Sequence, residues 1–472
     1  MRREPVFKKT FDFLRSSTSL SEAPRGSKAQ RVCCIGLDGT PHSLLQRMLA
    51  DGTMPNLAAL VREGRLHRMT SVYPWVSSVA WTTLQTGVNP AKHGIYGFVD
   101  RDPATLKIHI PLASRIKRPA VWDRLGQAGK RVIVLNVPVT YPAGPVNGIL
   151  VAGFLAPKLN EKAVSPVSML PTLERLGYRI DTNPQIARQD RDKALEDIHD
   201  ALDKRTRTFL HLLDHQPWEF FLGVIMETDR LHHFFFEPME QGHPVYMPAF
   251  FEVYRRIDEF LGQVRERLGA HDMLMMMSDH GFCSIRQEVF YNHWLAEAGY
   301  LKYVATPAKT LEQLHPDSVA YSLDPGRIFI NLKGRERTGR IAPGAEYERV
   351  RDEIIAAAEA LTAPGTGERM VRKAYRREEL YSGPYLEQAA DIILAPEDGY
   401  DPKGAFYKES LVHKDAMMVG MHTYDDAFFY IGGTGAAKEP VSILDVAPTV
   451  LRLMGQSIPD DYDGRSLDGP TG

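Results

Sequence analysis

Cysteine is scarce in this chain: Cys33, Cys34 and Cys283 are its only three among 472 residues. Two of them are adjacent inside an apolar stretch, so they make no disulfide framework, and a reducing cytoplasm is the expected compartment. An excess of one charge is also missing. Lys and Arg number 57 against 59 Asp and Glu, a formal net charge of -2. That balance excludes global electrostatic attraction to nucleic-acid polymers or to an anionic membrane. No apolar run reaches the roughly 18–20 residues that a bilayer-crossing helix needs. Internal repeats and low-complexity tracts are absent too. The opening stretch, "MRREPVFKKTFDFLRSSTSLSEAPRGSKAQR", lacks the apolar centre of a secretory signal. Residues 1–30 are expected to be a basic, disordered leader, helical around 6–15.

What is present is an ordinary globular composition, 43% hydrophobic and 25% charged. "RVCCIGLDG" is apolar until glycines break it around Asp38, and "WEFFLGVIMETD" and "DMLMMMSD" share that character. Between such segments the spacing turns helical. Leu195, Ile198, Leu202, Phe209 and Leu213 predict a helix over 191–215, and a second is predicted over 247–268. "SSVAWTTLQTG" reads as a helix of about ten residues, opened by serine and closed by glycine. "PHSLLQRMLADG" and "MPNLAALVREG" read as short helices, each ending at a glycine. In "SILDVAPTVLRLMG", Pro448 is tolerated only if the helix begins near Asp445. Continuously apolar strands alternating with helices predict an α/β fold with a mostly parallel central sheet sandwiched between helices. Residues 31–285 and 419–472 are expected to form that core, with 286–418 an inserted cap subdomain that selects substrate.

In such sheets ligands collect at the carboxyl ends of the strands. Asp38, Asp229 and Asp279 are all placed there. Asp229 is followed by His232 and His233 in "TDRLHHF", Asp279 by His280 in "SDHGF", and His422 in "GMHTY" adds a further point. Singly, an Asp after a strand caps the next helix and a loop His is solvated. Together they point to mixed carboxylate and imidazole ligation, which suits zinc, or manganese when oxygen ligands dominate. His233 is favoured over His232 because it lies four residues from Asp229, on one helix face. Ser77 enters a helix from a loop, a position that suits either an N-cap or a nucleophile beside an anion-binding helix end.

The ordered motifs "GLDG", "VSSVAWTTLQTGVNPAKHGI", "TDRLHH", "SDHGF", "GMH" and "LDVAPTVLRLMG" resemble the alkaline phosphatase superfamily. The type I phosphodiesterase/nucleotide pyrophosphatase branch is the most similar, over 31–101, 218–285 and 418–467. This resemblance implies two divalent metal ions, one held by Asp229, His233 and His422. The other would be held by Asp38, Asp279 and His280, with Ser77 as nucleophile and shared ligand. The family's nucleophile lies ten residues before the glycine of a "TG" pair, and ten before Gly87 is Ser77, not Ser78. Two ions bring +4 and three aspartates -3, leaving about +1 to attract a phosphate anion. The implied reaction is hydrolysis of a phosphodiester or nucleotide pyrophosphate through a phosphoseryl intermediate. The substrate would be a small phosphorylated molecule, a nucleotide among the candidates. A phosphoryl transferase, phosphomutase or phosphomonoesterase on the same site is the alternative, and a non-catalytic metal-stabilised binding protein is a third. A homo-oligomer is compatible with all of these.

Trp75, Ser78 and Phe98 are the candidates for substrate contact. Phe98 is also a departure, because nucleotide pyrophosphatases of this branch carry there an Asn that touches a phosphate oxygen. Beyond His422 the family's small glycine gives way to "TYDDA", which makes Asp425 or Asp426 expected partners of the ligands. The sulfatase pattern of Pro and Arg after the nucleophile is missing. His93 is expected to brace a loop and Cys283 to pack as a small apolar residue. In the cap, Arg335, Arg337 and Arg340 are candidates to meet a phosphate.

Overall fold

A computed structural model describes residues 29–433 and 439–467. The expected leader, with its helix around 6–15, lies outside the described residues apart from its last two positions. Among the described residues the central sheet has nine strands. They are β1 (Val32–Leu37), β2 (Gly64–Thr70), β3 (Val132–Leu135), β4 (Gly148–Val151), β5 (Val164–Ser165), β6 (Phe220–Ile225), β7 (Met273–Met277), β8 (Ala427–Gly432) and β9 (Val441–Ser442). Their order in space is β9-β2-β8-β7-β1-β6-β3-β4-β5. The five strands from β7 to β4 run parallel, whereas β8 is antiparallel to both of its neighbours.

Helices cover both faces. They include α1 (Ser77–Thr86), α2 (Val121–Gln127), α3 (Arg191–His215), α4 (Glu227–Glu240), α5 (Tyr246–Glu266) and α6 (Val446–Leu453). Alternate residues of β1 serve the two sides. Cys33, Ile35 and Leu37 join the core under α3, α4 and α5, while Val32 and Cys34 join the one under α1, α2 and α6. This double burial is why the strand reads as apolar without interruption. Pro448 falls in the first turn of α6, where its missing N–H costs nothing.

Two local expectations give way to tertiary structure. "METD" does not continue β6: the strand ends at Ile225 and α4 starts at Glu227, so Asp229 stands in a helix's first turn. Gly64 is no left-handed helix stop. It opens β2 with an extended backbone (φ -144°), and a Cβ there would lie 2.5 Å from the Ile431 carbonyl of β8. Glycine is needed for that close pairing.

Residues between the site motifs at 280 and 420 carry their own sheets. Ala320–Leu323, Arg327–Ile330, Ile392–Pro396 and Val371–Arg376 form four strands in that spatial order, backed by the helix Ala345–Glu359. Here Arg335 is bound to the carboxylates of Asp391 and Glu336, so it is not a phosphate contact. Arg337 donates to the Glu312 carbonyl and Arg340 to that of Asp317, which commits them as well. No helix of the described residues is long and apolar enough to cross a membrane.

Candidate active site

Three neighbouring strands deliver the three aspartates. Asp279 follows β7, Asp38 follows β1 and Asp229 follows β6, with Gly36 registered on Met277 and Leu37 on Ile225. The imidazoles arrive by a different route. Gly281–Ser284 pairs antiparallel with Gly420–Thr423, and Phe282 sits opposite His422. That hairpin stacks the His280 and His422 rings with centroids 3.6 Å apart.

One set of donors is Asp229, His233 and His422. Asp229 Oδ1 lies 3.5 Å from His233 Nε2 and 3.2 Å from His422 Nε2, and the two Nε2 atoms are 3.2 Å apart. The other set is Asp38, Asp279 and His280, whose ligating atoms all lie within 4.8 Å of one another. His280 Nε2 is 3.3 Å from Asp279 Oδ2 and 3.7 Å from Asp38 Oδ1. His232 is elsewhere, its Nδ1 3.0 Å from the Gly39 carbonyl and its Nε2 2.8 Å from the Tyr254 hydroxyl.

These residues fit a divalent ion on local grounds. Asp229 Oδ1 and Asp279 Oδ2 are buried and accept no hydrogen bond from the described residues. A buried anionic oxygen left so is costly unless a cation meets it. Burial, then the facing Asp279 and Asp229, pushes Asp38 well above the usual carboxylate range. Asp279 is pushed up to about 7, chiefly by burial. Burial lowers His233 to about 4 and His280 well below its ordinary value, so both rings are neutral, the form that ligates metal.

Ser77 is the first residue of α1, and the N-cap before it is Val76, with no side-chain cap bond. The serine hydroxyl is therefore not spent on capping. It donates to Asp38 Oδ1 at 3.3 Å and lies 3.3 Å from His280 Nε2. Ser77, Asp229, His233 and His422 open into a cavity of about 1130 Å³, closed on the far side by Glu288, Asp324, Asp401 and Lys403. Trp75 and Phe98 line the same cavity. Trp75 is pinned there, its indole donating to the His422 carbonyl at 3.0 Å.

Ser78 does not join them. The next residue on a helix points about 100° away, and Ser78 is fully buried with a hydroxyl that finds no partner. Asp425 and Asp426 are also displaced from the expected role. Both lie beside Arg68, and Asp426 accepts the Ser43 N–H at 3.2 Å, because their turn faces outward before β8. His93 braces its loop, 3.0 Å from Thr83 Oγ1 and accepting the Ile95 N–H at 3.2 Å. Sequence reasoning missed Trp81, whose indole donates to Asp38 Oδ2 at 2.7 Å, and Thr228, which donates to the Asp38 carbonyl at 2.7 Å. It also missed Arg230, which donates to Asp229 Oδ2 at 2.8 Å and lines the cavity.

A large mixed sheet with helices on both faces, and Asp/His clusters gathered at strand ends beside a serine at a helix start, define an alkaline phosphatase-like metal phosphoesterase. The type I phosphodiesterase/nucleotide pyrophosphatase profile matches residues 32–425, and the chain belongs to that family of metal-dependent phosphoester hydrolases. Solved structures agree in fold. Phosphonoacetate hydrolase from Sinorhizobium meliloti 1021, in complex with phosphonoformate, superposes with a TM-score of 0.64 at 16% identity, over 93% of this chain and 99% of that one. Murine ectonucleotide pyrophosphatase/phosphodiesterase 5 gives 0.56 at 14% identity, over 92% and 97%. An inactive variant of the murine protein in complex with AMP gives 0.55 at 15%, over 92% and 97%. No curated protein sequence matches the chain.

Proposed function

We propose that this enzyme hydrolyses small phosphodiesters or nucleotide pyrophosphates by double displacement, with Ser77 as the nucleophile. The observation that carries this reading is the Ser77 hydroxyl, 3.3 Å from both Asp38 Oδ1 and His280 Nε2 and facing the cavity. Asp38, Asp279, His280 and Ser77 would hold one divalent ion, and Asp229, His233 and His422 a second. Zinc is the first choice for these mixed ligands and manganese the second. When bound, the ions supply positive charge that favours the serine alkoxide and stabilises the attacking and leaving oxygens.

Ser77 Oγ attacks phosphorus opposite the leaving oxygen. The Oγ–P bond forms as the ester P–O bond breaks, and the alcohol leaves with a proton. Water then cleaves the phosphoserine, releasing phosphate or a phosphomonoester and returning the proton to Oγ. The N–H groups in the first turn of α1 face the bound anion. The AMP and phosphonoformate complexes of the two neighbours support a small phosphorylated or phosphonylated ligand. Free, buried Cys33 and Cys34 suit a reducing cytoplasm.

The test is p-nitrophenol release from bis-p-nitrophenyl phosphate by metal-analysed protein, with and without Ser77→Ala. The variant is expected to lose roughly three orders of magnitude or more in rate while keeping its metal. A Ser77→Ala protein that hydrolyses at the wild-type rate would falsify the mechanism. Turnover that appears only with an added alcohol acceptor would instead assign a phosphoryl transferase.

A further inference from the structure

We propose that Arg230, held in place by Asp181, grips the non-bridging oxygens of the substrate's phosphoryl group; this rests on the phosphoesterase reading above. Arg230 follows Asp229 in the first turn of α4 and lines the cavity shared with Ser77 and His233. Its side chain is only 14% exposed. Nε and Nη2 form a fork on the Asp181 carboxylate at 3.0 and 2.7 Å, and Nη1 donates to Asp229 Oδ2 at 2.8 Å. Three of the five guanidinium N–H groups are thus committed, and the other two meet no acceptor among the described residues.

The setting explains what Phe98 does. Phe98 meets Phe154 edge to face at 5.6 Å, and the guanidinium of Arg230 lies 4.7 Å over the Phe154 ring. The two rings form an apolar shelf under the guanidinium. A phenyl group at position 98 donates no hydrogen bond, so the donor to phosphate comes from the residue resting on that shelf. Asp181 is itself fixed, accepting the Thr182 N–H at 2.8 Å. The guanidinium is therefore ordered before substrate arrives, and little rotamer freedom is lost on binding.

Charge gives the substrate class. Asp181 balances Arg230, so the pair adds donors without adding net charge. The remaining balance is about +1 from two ions and three aspartates, which matches a phosphodiester monoanion better than a phosphomonoester dianion.

The test is calorimetric titration of zinc-loaded protein with inorganic phosphate, with metal content measured on every sample. Arg230→Met is expected to weaken phosphate binding roughly ten- to a hundredfold, the worth of a charge-assisted contact. Asp181→Asn keeps the guanidinium and its bond to Asp229 but loosens the fork, and should weaken binding by about tenfold while raising KM for bis-p-nitrophenyl phosphate more than it lowers kcat. Arg230→Lys keeps a cation beside Asp229 and serves if the Met variant sheds metal; it too should bind phosphate more weakly. Fully metal-loaded Arg230→Lys and Asp181→Asn that bind phosphate as tightly as wild type would overturn the proposal, and so would a wild-type protein that binds none. The nucleophile assignment fails separately, if Ser77→Ala keeps the diesterase rate.

Discussion

Glu227 stands two residues before Asp229, and its carboxylate is completely buried against Arg205 of α3, itself completely buried. Arg205 Nε lies 2.9 and 2.8 Å from the two carboxylate oxygens. Its Nη1 donates to the Tyr178 hydroxyl at 3.1 Å and its Nη2 to the Ile180 carbonyl at 3.0 Å. Arg205→Met keeps most of the volume of the side-chain stem and removes every one of these donors. Glu227 is then left buried as an uncompensated charge or forced to take up a proton. Breaking a pair of this kind costs about 3–5 kcal/mol. Arg205→Met with Glu227→Met removes both charges, and with them both desolvation costs, so most of that loss should return. The expected coupling between the two sites is about 2 kcal/mol or more. The assay is urea denaturation of the four metal-loaded proteins of the cycle, followed by circular dichroism. An Arg205→Met protein destabilised by less than about 1 kcal/mol, or a double variant weaker than either single one, would refute the reasoning from buried charge.

Three other outcomes follow from the same geometry. Chelation of divalent ions leaves Asp38, Asp229 and Asp279 without counter-charge, so the thermal midpoint should fall. Re-added zinc at about a thousandfold above its Kd should restore about 4 kcal/mol, and an indifferent melting curve would count against the ligand set. At Gly36 an added Cβ would lie 2.4 Å from Trp81 Cη2 and 3.1 Å from Val224 Cγ2. Gly36→Ala should therefore cost about 1–3 kcal/mol in denaturation and, by displacing the indole that bonds Asp38, weaken zinc binding in a competition titration. Asp391 accepts Arg335 Nη1 and Nη2 at 2.8 and 2.6 Å, the Tyr347 hydroxyl at 2.7 Å and the Ile330 N–H at 2.7 Å. Burial alone would raise its pKa, but Arg335 and these bonds outweigh it and hold the carboxyl below its ordinary value. With the folded pKa depressed, its stabilisation is complete above the unfolded value of about 3.9 and is lost as pH falls through the lower folded one. Asp391→Asn should cost about 3 kcal/mol at pH 7 and progressively less on acidification, which denaturation midpoints at several pH values will check.

Much of the core was legible because double burial writes a simple pattern. β1, β6 and β7 are apolar on both faces, and the first polar residues beyond them mark the strand ends where Asp38 and Asp279 stand. Helix α3 was legible over its full length because its buried residues recur at helical spacing. The misread boundaries share one cause, which is distance along the chain. "METD" continues an apolar run and looks like strand, yet the chain turns into helix where Arg205, 22 positions earlier, buries the Glu227 carboxylate. Gly64 looks like a helix stop, and its actual constraint is a carbonyl at Ile431. Neither contact leaves a mark on its immediate neighbours.

The site divides along the same line. The ligating types were visible at strand ends, but the meeting of His280 with His422 depends on pairing between Gly281–Ser284 and Gly420–Thr423, which no local periodicity encodes. The ordered motifs supplied His422 only by likeness. Ser77 was ambiguous because residue type alone does not tell an N-cap from the residue after it; Val76 occupies the cap and leaves the hydroxyl to Asp38 and His280. Phe98 is the instructive case. A departure from a motif is readable where it occurs, whereas its compensation need not be near in sequence. Here the donor that faces the cavity comes from α4, its orientation from Asp181 and its support from Phe154. Three segments of chain, each unremarkable alone, assemble one contact. Reading Phe98 as a lost phosphate ligand is correct for that residue and wrong for the site, since what matters to the anion is where the N–H groups point, not which strand or helix they come from.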